Sequence, residues 1–319
     1  MSARTISLNS LFASAAGAAP ATVLLAMVLG IGVFQPSFLS PYSLSVLMRE
    51  SSPILLLALA QTGVIMLGGI DLSVAAIASL CTILLALLLP PLGVWGLIAV
   101  LFVGTAAGMA QGYIHVAAQI PSFVVTLAGM GLWSGIALSI AHTTIPVDQG
   151  YAVVGWMEAS LLGVPVSFIF GAGVALLLWL AMRETPFGRY VQAIGLGERA
   201  ALLSGVSVGT VKVATFAVAG LLAGITGVAL VARTYSGNPS AGSSLLLPSI
   251  AAVVIGGTAI TGGVGGYGRT VIGVLIITVL RVGIAIVGID PGYEPLCYGL
   301  VLVCAVALTM DRTRLAVVK

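Results

Sequence analysis

The sequence predicts an all-α, polytopic integral membrane protein with about ten transmembrane helices and both termini in the cytoplasm. Three observations carry this. Of 319 residues, 60% are hydrophobic and only 7% are Asp, Glu, Lys or Arg, against roughly 25% charged residues in an average soluble domain. Mean hydropathy is +1.21. The apolar residues run continuously over about the 20 residues a spanning helix needs, without the alternation of a transmembrane barrel. The basic residues gather on one side of these runs. A soluble globule has too much surface for 12 basic and 9 acidic side chains to cover. Disordered chains are polar and charged. A net charge of +3 with no basic run gives nucleic acid no phosphate-binding stripe.

Each span follows from its own boundary signals. Arg4 precedes an apolar stretch near 18–38, long enough to be an uncleaved first helix; a cleaved signal peptide is the alternative. A single helix over 52–90 would be about 58 Å long, nearly twice the ~30 Å hydrocarbon core. It therefore divides at Gly68-Gly69 into 52–69 and 72–90. Helices near 94–115 and 120–141 follow, then an outward loop, 142–161, with Asp148 and Glu158 but no Lys or Arg. Spans near 162–182 and 211–232 flank the longest polar connection, about 183–211. The Gly262–Gly268 cluster separates 248–264 from 270–288, and Asp290-Pro291-Gly292 separates the latter from 294–310. Ten helices use roughly 200 residues, so no connection can fold separately and residues 1–319 read as one domain.

With the N-terminus inside, Arg4, Arg183, Arg189, Arg199, Lys212, Arg269, Arg312, Arg314 and Lys319 face the cytoplasm. Arg49 and Arg233 fall outside, and Arg281 falls within a span. Cys81, Cys297 and Cys304 lie in apolar stretches and read as small packing residues. Trp95, Trp133, Trp156 and Trp179 read as interfacial anchors near span ends.

The inward connection reads RETPFGRYVQAIGLGERAALLSGVSVGTVK from Arg183 to Lys212. Pro186 and Gly188 break the preceding helix. Glu198-Arg199-Ala200-Ala201-Leu202-Leu203 has helical propensity and is bracketed by Gly195, Gly197 and Gly205, which implies a short cytoplasmic helix held between glycine hinges. It is either a solvated loop or a docking element; Ala-Ala-Leu-Leu offers an apolar face that a plain loop would not need.

Four motifs then occur in order: VIMLGGIDLSV at 64–74, PSFVVTLAG at 121–129, FGRYVQAIGLGERAALLSG at 187–205 and AAVVIGGTAITGG at 251–263. Together they resemble the permease subunits of sugar ABC importers of the ribose-permease type, over about residues 40–312. The resemblance implies a bacterial inner-membrane subunit that pairs with itself or a paralogue. A cytoplasmic ABC ATPase carrying ATP-Mg drives such a permease, and a periplasmic binding protein delivers a monosaccharide or small polyol. It also implies that the segment with Gly188, Arg189, Gly195, Glu198, Arg199, Ala200 and Gly205 transmits ATPase motion. This chain has no G-x-x-x-x-G-K-[ST] loop, so it binds no nucleotide itself. Three features depart from the family pattern: Gly197-Glu198-Arg199 where Asn is usual, Ala75 where Gly is common, and charged Arg281 and Asp290.

Candidate path residues are Asp71, Ser73, Ser122, Phe123, Thr126, Gly256, Gly257 and Arg281. Asp71 and Ser73 read either as the cap of the following helix or as polar contacts beside a path; intramembrane acids avoid lipid in both cases. Pro121-Ser122 and Pro248-Ser249 open oppositely directed helices, with Gly129 and Gly256 each eight residues on. Such inverted similarity points to a midplane transport site. Ser122, Thr126, Ser249 and Thr258 would offer hydroxyls to a sugar, or bond back to their own helices. The glycines near 256–266 read as close packing or as bending points. Arg281 calls for an ion pair, with Asp290 and Glu294 as candidates. No catalytic or metal site is expected, with His115 and His142 far apart. The competing class is an ion- or proton-coupled secondary transporter, for which Asp71 alone is thin support. A membrane-embedded enzyme would need a cluster of His, Cys or carboxylates.

Overall fold

The computed structural model describes residues 8–309 except 287 and 289. Helix α1 covers Leu8–Phe34, and a 3₁₀ turn at Pro36–Leu39 leads to α2, Pro41–Met66. Then come α3 (Val74–Leu92), α4 (Val94–Ala117) and α5 (Ser122–Ile140). After the short α6 (Ala152–Gly155) come α7 (Val166–Glu184), α8 (Pro186–Leu196), α9 (Glu198–Leu203) and α10 (Val208–Thr234). The chain ends with α11 (Leu246–Ile255), α12 (Tyr267–Ile286) and α13 (Glu294–Thr309). Among the described residues, seven helices are long and apolar enough to cross a membrane: α2, α3, α4, α5, α7, α10 and α12. Three shorter apolar stretches accompany them, Ala19–Phe34, Ser243–Ile255 and Glu294–Val303. The protein is thus an all-α, multi-pass membrane protein.

Two boundaries differ from the sequence reading. Helix α2 starts at Pro41, because the Ser40 hydroxyl accepts from the Ser43 N–H at 3.2 Å and proline suits the first helical position. The stretch 248–264 is no full span. Helix α11 has 10 residues, about 15 Å, and gives way to an irregular glycine-rich stretch up to Tyr267. Gly257 (φ +92°) and Gly262 (φ +87°) sit in the left-handed region there, which a continuing helix cannot use.

The core forms around α2, whose residues from Ser51 to Met66 are all buried. A helix surrounded by protein needs no polar face. Helices α4 and α10 approach through glycines four residues apart, Gly104, Gly108 and Gly112 facing Phe216, Gly220 and Gly224. A Cβ on Gly108 would overlap the Phe216 carbonyl oxygen, and one on Gly220 the Gly104 carbonyl oxygen. This is the small-residue packing that membrane helices use where no hydrophobic force drives association.

The end of the bundle that carries residues 183–212 is here the lower end. At the upper end, two-residue strands β1 (Ile145–Pro146) and, after α10, β4 (Ser236–Gly237) pair antiparallel. Strands β2 (Ser160–Leu161) and β3 (Val164–Pro165) form a second small hairpin between α6 and α7. Tyr151 stacks on Tyr235 at 4.4 Å and donates to the Ala232 carbonyl at 2.6 Å, tying the 141–165 connection to α10. Burial pushes the Tyr151 phenol well above its ordinary value, with Tyr235 adding to it.

The upper end also holds the arginines that the orientation argument left over. Arg49 pairs with Glu158, and Arg233 with Glu50. Arg281 lies 3.2 Å from Glu294 and 3.6 Å from Glu50, while Tyr298 donates to Glu294 at 3.1 Å. Arg281 is therefore near the end of α12 rather than at mid-span. Of its expected partners only Glu294 engages it; Asp290 instead accepts from the Gly292 N–H at 2.6 Å. Glu50, unforeseen, bridges two arginines from α10 and α12. Glu50→Gln is expected to lower stability in detergent by about 0.5–1 kcal/mol, a modest figure because these side chains are partly exposed. An unchanged melting temperature would show the bridge to be idle.

Candidate functional site

The site lies where two interrupted helices meet the lower segment. Past Met66 the chain leaves α2 through Leu67 and Gly68 (φ +80°) and turns back into the bundle. The Asp71 carbonyl accepts from Gln61 Nε2 at 2.6 Å, which sets Asp71 level with the last two turns of α2. Asp71 Oδ1 accepts from the Ser73 N–H at 2.8 Å and the Ser73 hydroxyl at 2.6 Å. These bonds satisfy donors at the start of α3. Helix α5 holds the same turn from the side. Ser122 Oγ accepts from the Ile70 N–H at 3.3 Å, and the Thr126 hydroxyl donates to the Ile70 carbonyl at 3.2 Å.

The second interruption follows α11. The Gly266 N–H donates to Thr258 Oγ1 at 3.2 Å and the Ala259 N–H to the Val264 carbonyl at 2.9 Å, closing the glycine-rich stretch on itself. The two breaks join directly. The Gly263 N–H donates to the Met66 carbonyl at 2.9 Å, supplying a partner for a carbonyl that the end of α2 leaves unpaired. Thr62 and Thr270 share a hydrogen bond at 2.8 Å.

Gly195 of α8 is wedged into this junction. A Cβ there would overlap both the Met66 carbonyl oxygen and the Gly263 amide nitrogen. Gly195 is thus a contact point inside a helix, not the hinge read from the sequence. Gly188 also lies within α8, against the Met182 backbone; the chain breaks between α7 and α8 at Thr185. Met66 shares an apolar cluster with Val191, Ile194, Ala201, Val206 and Val208, so the whole lower segment is bolted to the end of α2. Its other side is open: Arg189, Arg199, Ala200, Leu202 and Leu203 are exposed. Gly205 ends α9 with φ +84°. Glu198 reaches back to Lys212 on α10 at 2.7 Å. Around this pair two adjoining clefts of about 220 and 430 Å³ share His115, Pro121, Glu198 and Lys212; the smaller one extends to Gly68, Gly69 and Ser122.

The structure therefore brings Asp71, Ser73, Ser122, Thr126, Gly195 and Glu198 into one region. Gly256 and Gly257 lie beside it, against Arg269. Phe123 points away and is half exposed. Arg281 is at the opposite end, and Ser249 bonds back to Leu246 at 2.7 Å. Trp133 sits in the middle of α5 rather than near its end. Sequence reasoning missed Gln61, Gln111 and the partner role of Lys212. The two glutamines carried a readable signal, since a polar side chain within an apolar span calls for a partner.

A multi-pass helical protein in which two glycine-rich turns between spans are joined above an apolar lower segment has an architecture that suits a membrane transport domain. The particular family is plain from comparison with known proteins. The chain belongs to the family described as branched-chain amino acid transport system / permease component, which matches residues 43–306. It is 37% identical to the ribose import permease of Bacillus subtilis over 294 residues, covering 90% of each chain. It is 33% identical to the ribose import permease of Escherichia coli strain K12, over 89% of this chain and 90% of that one. It is 31% identical to the fructose import permease of Rhizobium meliloti, over 92% of this chain and 85% of that protein. No solved structure matches the chain.

Proposed function

We propose that this chain is the transmembrane half of an ATP-driven importer that brings a monosaccharide or similar small polyol into a bacterial cell. The observation that carries the reading is the joint of Met66, Gly195 and Gly263, where a segment with an exposed apolar and basic face grips both helix breaks. Relatives named for ribose and fructose import support the sugar class. The chain acts as one transmembrane unit of about ten crossings in the bacterial inner membrane, with 183–211 as its coupling segment. Among the described residues the lower end carries five Lys and Arg, Arg183, Arg189, Arg199, Lys212 and Arg269, and the upper end three, Arg49, Arg233 and Arg281. By the positive-inside rule the lower end is cytoplasmic, and an even number of crossings, about ten, would leave both termini on that side.

The partners follow from that placement. A cytoplasmic ATPase holding ATP-Mg docks on Arg199, Ala200, Leu202 and Leu203. A second permease subunit, the same chain or a paralogue, completes the path, and a periplasmic protein delivers solute. ATP hydrolysis belongs to the ATPase chain, and this subunit is not itself an enzyme.

The test is uptake into vesicles reconstituted with the cognate ATPase and binding protein. Accumulation of ribose, fructose or allose that requires internal ATP is expected. Uptake by this chain alone, driven by an ion gradient without ATP, contradicts the reading. Within that assay, Glu198→Lys is expected to cut uptake by about tenfold by placing two ammonium groups together. The double variant Glu198→Lys with Lys212→Glu should recover much of it, because the 2.7 Å pair is rebuilt in reverse. A double variant as poor as the single one would remove the pair from the coupling route.

A further inference from the structure

Buried polar side-chain atoms in folded proteins are almost always hydrogen-bonded. Among the described residues, five such atoms lack a partner, and three of them belong to two side chains beside one cavity, both amide atoms of Gln111 and Nε1 of Trp133, with none of the three open to it. The cavity, about 420 Å³, lies between α4 and α5, within the usual range of about 300–1,000 Å³ for small-molecule sites. Its rim is apolar and exposed at Ile114, Val124 and Leu132. Gln111 is only 4% exposed, and its amide lies beneath Gly129, where a Cβ would come within 2.6 Å of Oε1. The packing has left room for this amide without giving it a protein partner.

The position adds a second argument. Ser122, Thr126, Gly129 and Trp133 follow one another at helical spacing on α5 and form a single stripe. The lower two hold the Ile70 turn, which puts Gly129 and Trp133 one and two helical turns above the two residues that grip the break.

We propose that Gln111 and Trp133 form a solute-contact site for a neutral, polyhydroxylated ring; this rests on the importer reading above. An amide offers two donors and one acceptor, and an indole offers one donor and an apolar face. That set suits hydroxyls and the C–H face of a sugar. None of the described residues lining the cavity is charged, so a zwitterionic amino acid would leave both its charges uncompensated. The site selects against the solute class in the family's own description. In the resting arrangement the amide is closed under Gly129, and a shift of α5 along α4 exposes it as solute passes.

The experiment compares wild type, Gln111→Leu and Trp133→Phe in vesicles holding the cognate ATPase and binding protein, with labelled ribose, fructose, allose and leucine. Gln111→Leu deletes unpaired polar atoms at similar size, so its melting temperature should hold or rise. Its maximal uptake rate for the transported sugar should fall by about tenfold, one hydrogen-bonding group's worth. The KM should stay put if the binding protein sets it. Trp133→Phe, which keeps a ring but loses the N–H, should reduce the rate in the same direction, and leucine should not be carried. Wild-type vesicles that accumulate none of the three sugars overturn the importer reading and this site with it. Wild-type uptake with Gln111→Leu within about twofold overturns the site alone. A melting temperature and rate that fall together also overturn it, by making Gln111 a structural residue.

Discussion

Gly195→Val is expected to abolish uptake while leaving a protein that inserts and can be purified. The reason is local. The Gly195 Cα faces the Met66 carbonyl and the Gly263 amide so closely that any side chain overlaps both. Relief requires α8 to lift from the junction, and the Gly263–Met66 hydrogen bond must stretch or break. Overpacking of this kind costs about 1–3 kcal/mol, a small part of the stability of so large a buried helix bundle. The same displacement pulls the lower segment away from both helix breaks. Gly195→Ala should show a milder form of the same defect. The measurement is uptake together with ATP hydrolysis: hydrolysis by the assembled complex should continue while solute transport falls by a factor of ten or more. Uptake at wild-type rates in Gly195→Val would mean that the joint is not on the coupling route.

The second large effect concerns folding. Gly108→Leu should destabilise the protein by about 3 kcal/mol or more, at the upper end of overpacking costs. The stripe of Gly104, Gly108 and Gly112 lets the backbone of α4 lie on that of α10, with Gly220 Cα 2.9 Å from where a Gly108 Cβ would be. A leucine there forces the two helices apart along their length, and no rotamer avoids this because the first clash is with backbone. Gly173→Leu is the control, since a Cβ on Gly173 meets nothing within 4 Å. Thermal unfolding in detergent should separate the two variants by many degrees. Equal melting temperatures would refute the account of this interface.

Much of this architecture was legible in the sequence, and the rest was hidden for identifiable reasons. Spans could be read because a bilayer imposes a length, and the break at Gly68-Gly69 because 52–90 is too long for it. The stretch 248–264 misled because Ala251–Ile255 is as apolar as any span. Its helix ends at Gly256, packed on the Arg269 backbone, and the chain beyond it bonds to Met66 through Gly263, and neither partner is near in sequence. Of the two candidate partners of Arg281, Glu294, 13 residues away, engages it and Asp290 does not, and its neighbour Glu50 comes from another helix altogether. Gly195 looked like a hinge because a glycine near a loop usually is one; only the fold shows that it is a point of contact. Asp71 and Ser73 were recognised as a pair within one turn, since their interaction is local. Lys212 and Glu198 were both noticed as loop charges, yet their pairing depends on how α9 folds back on α10.

The central claim is that motion of an ATPase beneath α8 and α9 reaches the helix breaks through Gly195. Its most direct test uses Ser122→Cys, in a chain whose three cysteines are replaced by alanine. Ser122 lines the cleft beside Gly68 and Gly69 and holds the Ile70 turn. The rate at which a small thiol reagent labels this cysteine is measured with the ATPase free and with it trapped by vanadate. The account predicts a clear change in labelling rate on trapping, and loss of that change when Gly195→Val is added. Equal labelling in the free and trapped states of the otherwise unmodified chain would contradict it.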